Sequence, residues 1–201
     1  MQVREARDTD IEGACAVLEA AFRRPEEARL FRSLWEGDDL AVALVAVGPI
    51  EDKVDPGVLA GAATPPGLPT DRRDRLSTVP GGAGQGETPE GPVIGVAVLA
   101  HLHSPEGAVG LGPLAVRPDC SDRGIGKALI AASVERARHD RARAIFVLGQ
   151  PAYYTRFGFS VEAARPFTSP YPAEFLMALE LEEGALEGGG ELRYPPAYAG
   201  L

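Results

Sequence analysis

Apolar and polar positions follow one another along this chain in blocks that predict a sheet packed with helices. Residues 11–22 place Ile11 and Leu18 on one face at helical spacing, so they predict a first helix behind a short strand. Pro25 suits the first turn of a second helix. The apolar run "LAVALVAV" at 40–47 has the length of one buried strand.

The second half of the chain continues this pattern. The predicted elements are strands at 93–104 and 108–116 joined by the turn "SPEG", a helix beginning near Gly124, a strand at 144–150, a short helix from Pro151 that Gly158 ends, and a strand at 174–181. The order is β-α-α-β, a break, and β-β-α-β-α-β-β. It predicts an α/β chain with a mixed sheet and helices on both faces.

Residues 48–92 interrupt the pattern because they are rich in glycine and proline. Such a segment buries too little apolar surface to offset its ordering entropy, so we predict a surface insertion between two antiparallel neighbours, the strands at 40–47 and 93–104. Its "GGAGQG" has no strand close before it and no amphipathic helix after it, which argues against a phosphate cradle. We expect one domain over 1–201, with a short C-terminal tail at about 187–201.

Composition and charge narrow the class of protein. The chain is 45% hydrophobic and 24% charged, which is typical of globular domains. No apolar run reaches 18–20 residues and the start "MQVREARDTD" is polar, so neither a membrane span nor a signal peptide is expected. Cys15 and Cys120 fit free thiols in a cytoplasmic protein. The net charge of -9 argues against general nucleic-acid binding.

Pro113 is the first unusual feature, because it falls inside the strand predicted at 108–116. Proline has no N–H and interrupts a β ladder, so it belongs at an edge or a bulge. A bulge in a central strand would splay the sheet and free backbone groups that can pair with an extended ligand.

The junction of strand, loop and helix that follows predicts a phosphate site. The first amides of a helix have no internal partner, and the helix dipole is positive there. Gly124 and Gly126 allow close approach to the backbone, while Arg123 and Lys127 add charge. From 117 to 143 there are seven Arg and Lys against four Asp and Glu, locally +3. The spacing matches neither the Walker loop nor the Rossmann fingerprint.

Three stretches together resemble the GNAT superfamily of acetyl-CoA-dependent N-acetyltransferases. "GLGPLAVRPD" and "DRGIGKALI", within 109–138, are similar to that family's strand, pyrophosphate turn and long helix. "PAYYTRFGF" at 151–159 resembles its next helix and Tyr-x-x-x-Gly-Phe ending, and "VREARDTDIEGACAVLEAAF" resembles its opening. The resemblance covers nearly the whole chain apart from 48–92 and the last dozen residues. It implies a mostly antiparallel central sheet splayed at the bulge.

The resemblance also implies acetyl-CoA as co-substrate and an amine as acceptor, joined in a ternary complex. The residues expected to contact the cofactor are Leu114, Ala115, Val116, Ser121, Asp122, Arg123, Gly124, Ile125, Gly126, Lys127 and Ala128. Ser121 stands where the family usually has Gln or Arg, so weaker contacts to the pyrophosphate are expected. A homodimer is an open alternative, and neither nucleic acid nor membrane is an expected partner.

The catalytic candidates follow from the same resemblance. Tyr154 matches the family's tyrosine, which hydrogen-bonds or protonates the thiolate leaving group, and adjacent Tyr153 is expected to point elsewhere. We expect a backbone N–H near Leu114, just after the bulge, to meet the developing oxyanion.

The general base is the least determined part, since the strand at 108–116 contains no acid. His101 and His103 would share one face of the strand at 93–104, and that face is a candidate wall of the acceptor cleft. Glu27, on the second helix beside the cleft in the family's layout, is another candidate. Two histidines without a nearby third ligand do not predict a metal site.

Three functions stay open on these residues. The first is an N-acetyltransferase acting on a primary amine of a small molecule, and the second is a protein or peptide N-acetyltransferase. The third is a non-catalytic acyl-CoA-binding regulatory module. Ser121 and the missing strand acid favour the module slightly, whereas "YYTRFGF" favours the enzymes.

Overall fold

The structure, a computed structural model, describes residues 1–49 and 91–200. The strands are β1 (Gln2–Glu5), β2 (Leu40–Val47), β3 (Val93–His101), β4 (Ala108–Val116), β5 (Ala144–Leu148), β6 (Phe167–Thr168), β7 (Leu176–Glu180) and β8 (Gly190–Glu191). The helices are α1 (Ile11–Phe22), α2 (Glu26–Glu36), α3 (Ile125–His139), α4 (Pro151–Tyr154) and α5 (Val161–Ala164). The insertion predicted at 48–92 falls almost wholly outside the described residues.

The main sheet has six strands in the order β1-β2-β3-β4-β5-β7. All neighbours are antiparallel except β4 and β5, which are parallel. The predicted mixed, mostly antiparallel sheet is therefore confirmed. β2 and β3 pair from Leu40 opposite Ala100 to Val47 opposite Val93, so the strands that flank the predicted insertion are antiparallel neighbours. A separate parallel pair joins β6 and β8.

Helices cover both faces of this sheet, as predicted. Strand β2 shows this, because its successive side chains point to opposite sides of the sheet and pack against different helices. Val42 and Leu44 belong to the core cluster that holds Leu129 and Ile130 of α3. Val45 belongs to the other cluster, which packs against α1 and α2. Both cysteines are buried free thiols, as expected.

The bulge predicted from Pro113 is present in β4. Ala97 of β3 lies opposite Leu114 and Leu99 lies opposite Leu111, so two residues of β4 face one residue of β3. Gly112 takes a φ of 150°, a conformation that side chains rarely adopt. The parallel pairing of β4 with β5 ends at Leu111 opposite Val147. Beyond that point the two strands are not paired, and the sheet is splayed as the resemblance implies.

Some local elements differ from the prediction. β3 ends at His101 rather than at residue 104, and α5, β6 and β8 were not expected. One-turn helices and two-residue strands are too short to show any hydrophobic period. The C-terminal tail carries β8 and a 3₁₀ turn at Pro196–Gly200, and this turn packs against α2.

Candidate functional site

The N-terminus of α3 opens into a cavity of about 530 Å³ that we call the phosphate bay. Gly124 precedes the helix with a φ of 77°, and no side chain caps the amides of the first turn. A left-handed residue at this position favours glycine. The bay is lined by Val116, Cys120, Ser121, Asp122, Gly124, Ile125, Gly126, Lys127, Tyr153 and Arg156. Most residues predicted to contact the cofactor pyrophosphate thus meet in one place.

The charge of the bay comes from few side chains. Lys127 and Arg156 are its cations, and Asp122 is the one carboxylate among the described residues that line it. Asp119 lies outside that lining and forms an ion pair with Arg117 at 2.7 Å. Sequence reasoning missed Arg156, although it stands in the same "YYTRFGF" stretch. Its guanidinium lies 5.3 Å from the centroid of the Tyr153 ring.

We expected Tyr153 to point elsewhere than Tyr154. In the structure it lies between two cavities. It lines the phosphate bay and also the larger cavity described next. The Tyr153 hydroxyl stands directly over Gly126, so that a β-carbon at Gly126 would collide with it. The expectation was wrong because the two cavities meet at α4, so both of its tyrosines line the larger cavity.

The larger cavity, which we call the central cavity, has a volume of about 610 Å³ and lies where β4 and β5 separate. Residues 110–114 and 146–150 of these strands and their ends form one side. Leu114 lines the cavity directly after the bulge, as expected. Ala115 packs into the core on the opposite face of the sheet. Arg123 and Ala128 are absent from the lining of both cavities.

Tyr154 lines the central cavity and is almost fully buried. A β-carbon at Gly149 would lie 2.5 Å from its ring, so the glycine makes room for the tyrosine. The rings of Phe159 and Tyr153 meet the Tyr154 ring edge-on, with centroids 5.9 and 5.2 Å away. Burial raises the pKa of Tyr154 to about 12. The hydroxyl therefore stays protonated at neutral pH and can donate a hydrogen bond.

Of the three candidate bases, Glu27 alone reaches the central cavity. It is buried, and Arg24 donates to it from Nε at 3.0 Å. Among the described residues that line this cavity, Glu27 is the one carboxylate.

The two histidines do not line the central cavity, which corrects the expectation that they form a wall of the cleft. β3 ends at His101, which is exposed. The chain then leaves the strand because the backbone N–H of His103 donates to the carbonyl of Arg193 at 2.7 Å. The His103 ring lies 2.8 Å from the carboxylate of Asp39.

Sequence reasoning also missed three tyrosines. Tyr171, Tyr194 and Tyr198 line the central cavity. The Tyr198 hydroxyl donates to the carbonyl of Gly112 at 2.7 Å, which ties the C-terminal tail to the β4 bulge. The density of tyrosine and proline in "RYPPAY" was the available signal, but it shows no period and predicts no element.

The described ranges 1–49 and 91–200 contain no helix long and apolar enough to cross a membrane. They also contain no group of three or more His, Cys, Asp or Glu side chains arranged to hold a metal ion.

Comparison with known proteins agrees with the motif and the splayed sheet. Residues 72–159 match the family model described as "Acetyltransferase (GNAT) family". Over these residues this chain is similar to the GNAT acetyltransferase family. A relative from Escherichia coli K12, described as an uncharacterized N-acetyltransferase, YjhQ, is 40% identical over 63 residues. That match spans 31% of this chain and 35% of the relative.

Two solved GNAT structures share the fold over nearly the whole chain. The GNAT family N-acetyltransferase YhbS from Escherichia coli, in complex with CoA, is 23% identical with a TM-score of 0.72. The alignment covers 98% of this chain and 91% of that one. A GNAT acetyltransferase from Brucella melitensis, in complex with acetyl-CoA, is 22% identical with a TM-score of 0.66, covering 98% and 97%.

Proposed function

We propose that this protein is a GNAT enzyme that transfers an acetyl group from acetyl-CoA to a primary amine of a small molecule. The observation that carries the proposal is the pair of adjoining cavities that share Tyr153. One offers helix amides and two cations to a pyrophosphate, and the other holds a buried tyrosine where β4 and β5 separate. A pantetheine arm reaching from the first to the second would end beside Tyr154.

Acetyl-CoA would be held by backbone more than by side chains. Gly124, Gly126 and the amides that follow them would take the pyrophosphate, with Lys127 and Arg156 supplying charge. Leu114 and Val116 line the two cavities on the same edge of β4, so that edge would pair with the pantetheine amides like an added strand.

The reaction joins a neutral amine to the thioester carbonyl. The amine nitrogen forms a bond to the carbonyl carbon, and the oxyanion that develops would meet the backbone N–H of Leu114. The carbon–sulfur bond then breaks, leaving a thiolate and an amide. Glu27 would accept the proton that the amine loses, directly or through a water molecule. Tyr154 would donate a hydrogen bond to the departing sulfur.

A thiol-release assay tests this function. Acetyl-CoA is supplied with a panel of amines, amino acids and short peptides, and each product is identified by mass spectrometry. The proposal predicts equal amounts of free CoA and acetylated amine with at least one small amine. CoA binding without turnover would contradict it and favour a regulatory module, and turnover of peptides alone would favour a protein acetyltransferase.

A further inference from the structure

We infer that Tyr171, Tyr194 and Tyr198, here called the aromatic wall, select an acceptor whose primary amine is carried on a flat apolar body. The inference rests on the proposed function and names the substrate class of the same site. It starts from residues outside the family motif, two of them in the C-terminal tail.

The aromatic wall is a continuous surface. The ring centroids of Tyr171 and Tyr194 lie 5.2 Å apart at an angle of 84°, and those of Tyr194 and Tyr198 lie 5.4 Å apart at 44°. All three residues line the central cavity. An aromatic ring of a ligand can pack favourably against such ring surfaces, edge-on or in an offset stack.

Two of the three hydroxyl groups are already used by the protein. Tyr198 donates to the carbonyl of Gly112, and Tyr194 hydrogen-bonds with Ser169. Burial raises the pKa of both tyrosines, so both stay neutral. The wall therefore offers much ring surface and few free hydroxyl groups, which disfavours polyhydroxylated acceptors because most of their own hydroxyls would lose water without new partners.

Apolar side chains from α1 and α2 line the same cavity. Phe22 and Leu30 are among them, beside the charged pair of Arg24 and Glu27. Glu27 is the one carboxylate among the described lining residues, and Arg24 already pairs with it. An acceptor with several ammonium groups would find too few counter-charges, whereas a single ammonium can lie against Glu27 and the tyrosine rings.

The volume of the central cavity limits the size of the acceptor. A cavity of about 610 Å³ is within the range of small-ligand pockets and must also hold the acetyl end of the donor. A body about the size of one aromatic ring, joined to the amine by a short linker, fits these conditions.

A specificity comparison tests the aromatic wall. We would measure kcat/KM at saturating acetyl-CoA for 2-phenylethylamine, ethanolamine and spermidine. The wild type should prefer 2-phenylethylamine by at least about tenfold. Tyr171→Ala and Tyr194→Ala should each lower kcat/KM for 2-phenylethylamine by a larger factor than for ethanolamine and so remove most of that preference, and Tyr194→Phe, which keeps the ring, should retain it.

A binding measurement separates this inference from the proposed function. Calorimetry of 2-phenylethylamine on the CoA-saturated protein needs no turnover. Binding that Tyr171→Ala weakens supports the aromatic wall even if no amine is acetylated. Turnover of ethanolamine or spermidine with no preference for the aromatic amine overturns the wall and leaves the function standing. A preference for peptides also overturns the inference. So does an equal loss of kcat/KM with every amine in the two alanine variants. Tyr171 is only partly buried, so Tyr171→Ala is expected to fold. If Tyr194→Ala unfolds, the result with Tyr171→Ala tests the inference.

Discussion

Burial of the Tyr154 ring against Gly149 and Phe159 raises the pKa of its hydroxyl to about 12. An ordinary thiol has a pKa of about 8.5, so full transfer of the tyrosine proton to a thiolate would cost about 5 kcal/mol. A hydrogen bond to the thiolate carries no such cost. At the scale of one residue, Tyr154 is therefore better suited to donate a hydrogen bond than to give up its proton.

Tyr154→Phe removes this donor and keeps the ring. Because the bond strengthens as charge develops on sulfur, we expect kcat to fall about ten- to a hundredfold while the affinity for acetyl-CoA changes less than about twofold. Initial rates and calorimetry measure the two quantities. Tyr153→Phe provides the contrast, since the Tyr153 hydroxyl lies over Gly126 in the phosphate bay. It should weaken acetyl-CoA binding with little change in kcat, and identical behaviour of the two variants would contradict these roles.

The charges of the phosphate bay give a second prediction. Asp122 has a φ of 64°, which asparagine tolerates well, so Asp122→Asn keeps the backbone and removes a negative charge beside the proposed position of the phosphates. We expect CoA affinity to rise about two- to fivefold at low salt. Lys127→Gln should lower affinity by a similar factor, and both effects should shrink in 1 M salt. Calorimetry at two salt concentrations measures this, and effects of the same sign would contradict the placement of the phosphates.

At the scale of elements, the junction of β4, the turn and α3 depends on Gly126. In Gly126→Ala the new methyl group would collide with the Tyr153 hydroxyl, and the account predicts that it would also block the pyrophosphate. The variant Tyr153→Phe separates the two effects, because the nearest remaining ring atom, Cζ, is 3.7 Å from the β-carbon, an ordinary contact. Gly126→Ala should still lower CoA affinity about tenfold, or about 1.4 kcal/mol, in the Tyr153→Phe background. Full recovery there would show that the glycine serves only the tyrosine.

A pH-dependent prediction concerns the entry to α1. Arg4 donates to the nearly buried carboxylate of Asp10 at 2.6 and 2.9 Å, and the backbone N–H of Arg7 donates at 2.8 Å. These hydrogen bonds, that of Arg4 first, lower the pKa of Asp10 despite its burial. A lowered carboxyl pKa stabilises the fold above the unfolded pKa of about 3.9, and this stability is lost as the pH falls through the folded pKa.

Asp10→Asn should therefore reduce the free energy of unfolding at pH 7 by about 1–3 kcal/mol. The difference from the wild type should shrink as the pH falls below about 4, since the wild-type carboxylate becomes protonated. Denaturant unfolding at several pH values measures both effects. Glu162→Gln, which breaks the exposed pair with Arg165, is the control and should leave stability unchanged within error. A constant difference at every pH would contradict the role of the charge.

The parts of the site that the sequence predicts are those with a period or a backbone requirement. Ile125 and Leu129 follow the helical spacing of α3 and are buried, Pro113 requires a bulge, and Gly124 opens the turn before α3. The tail differs, because Tyr198 reaches the site through one hydrogen bond to a residue 86 positions away. No local pattern encodes such a contact. The prediction for the histidines was wrong for the same reason. Only the hydrogen bond from the backbone N–H of His103 to the carbonyl of Arg193 shows that the chain has left β3.

At the scale of the whole molecule, residues far apart in the sequence surround one cleft. Elements α2, β4, β5 and α4 and the C-terminal tail each contribute to the lining of the central cavity. The single domain over 1–201 is consistent with this arrangement but stays a prediction, as do the homodimer and the cytoplasmic location. The comparisons show similarity to the GNAT family over residues 72–159 and a shared fold over nearly the whole chain, and the acceptor must be specified by this chain's own residues.

Initial-rate kinetics test the central claim most directly, because one cleft that holds donor and acceptor together implies direct transfer. Rates are measured over a matrix of acetyl-CoA and 2-phenylethylamine concentrations, with a second amine from the panel as reference. We predict double-reciprocal lines that intersect, which indicates a ternary complex, and one acetylated amine for each CoA released. Parallel lines would indicate an acetylated enzyme intermediate, and the absence of turnover with any amine despite CoA binding would show that the cleft binds without catalysing; either result would contradict the account.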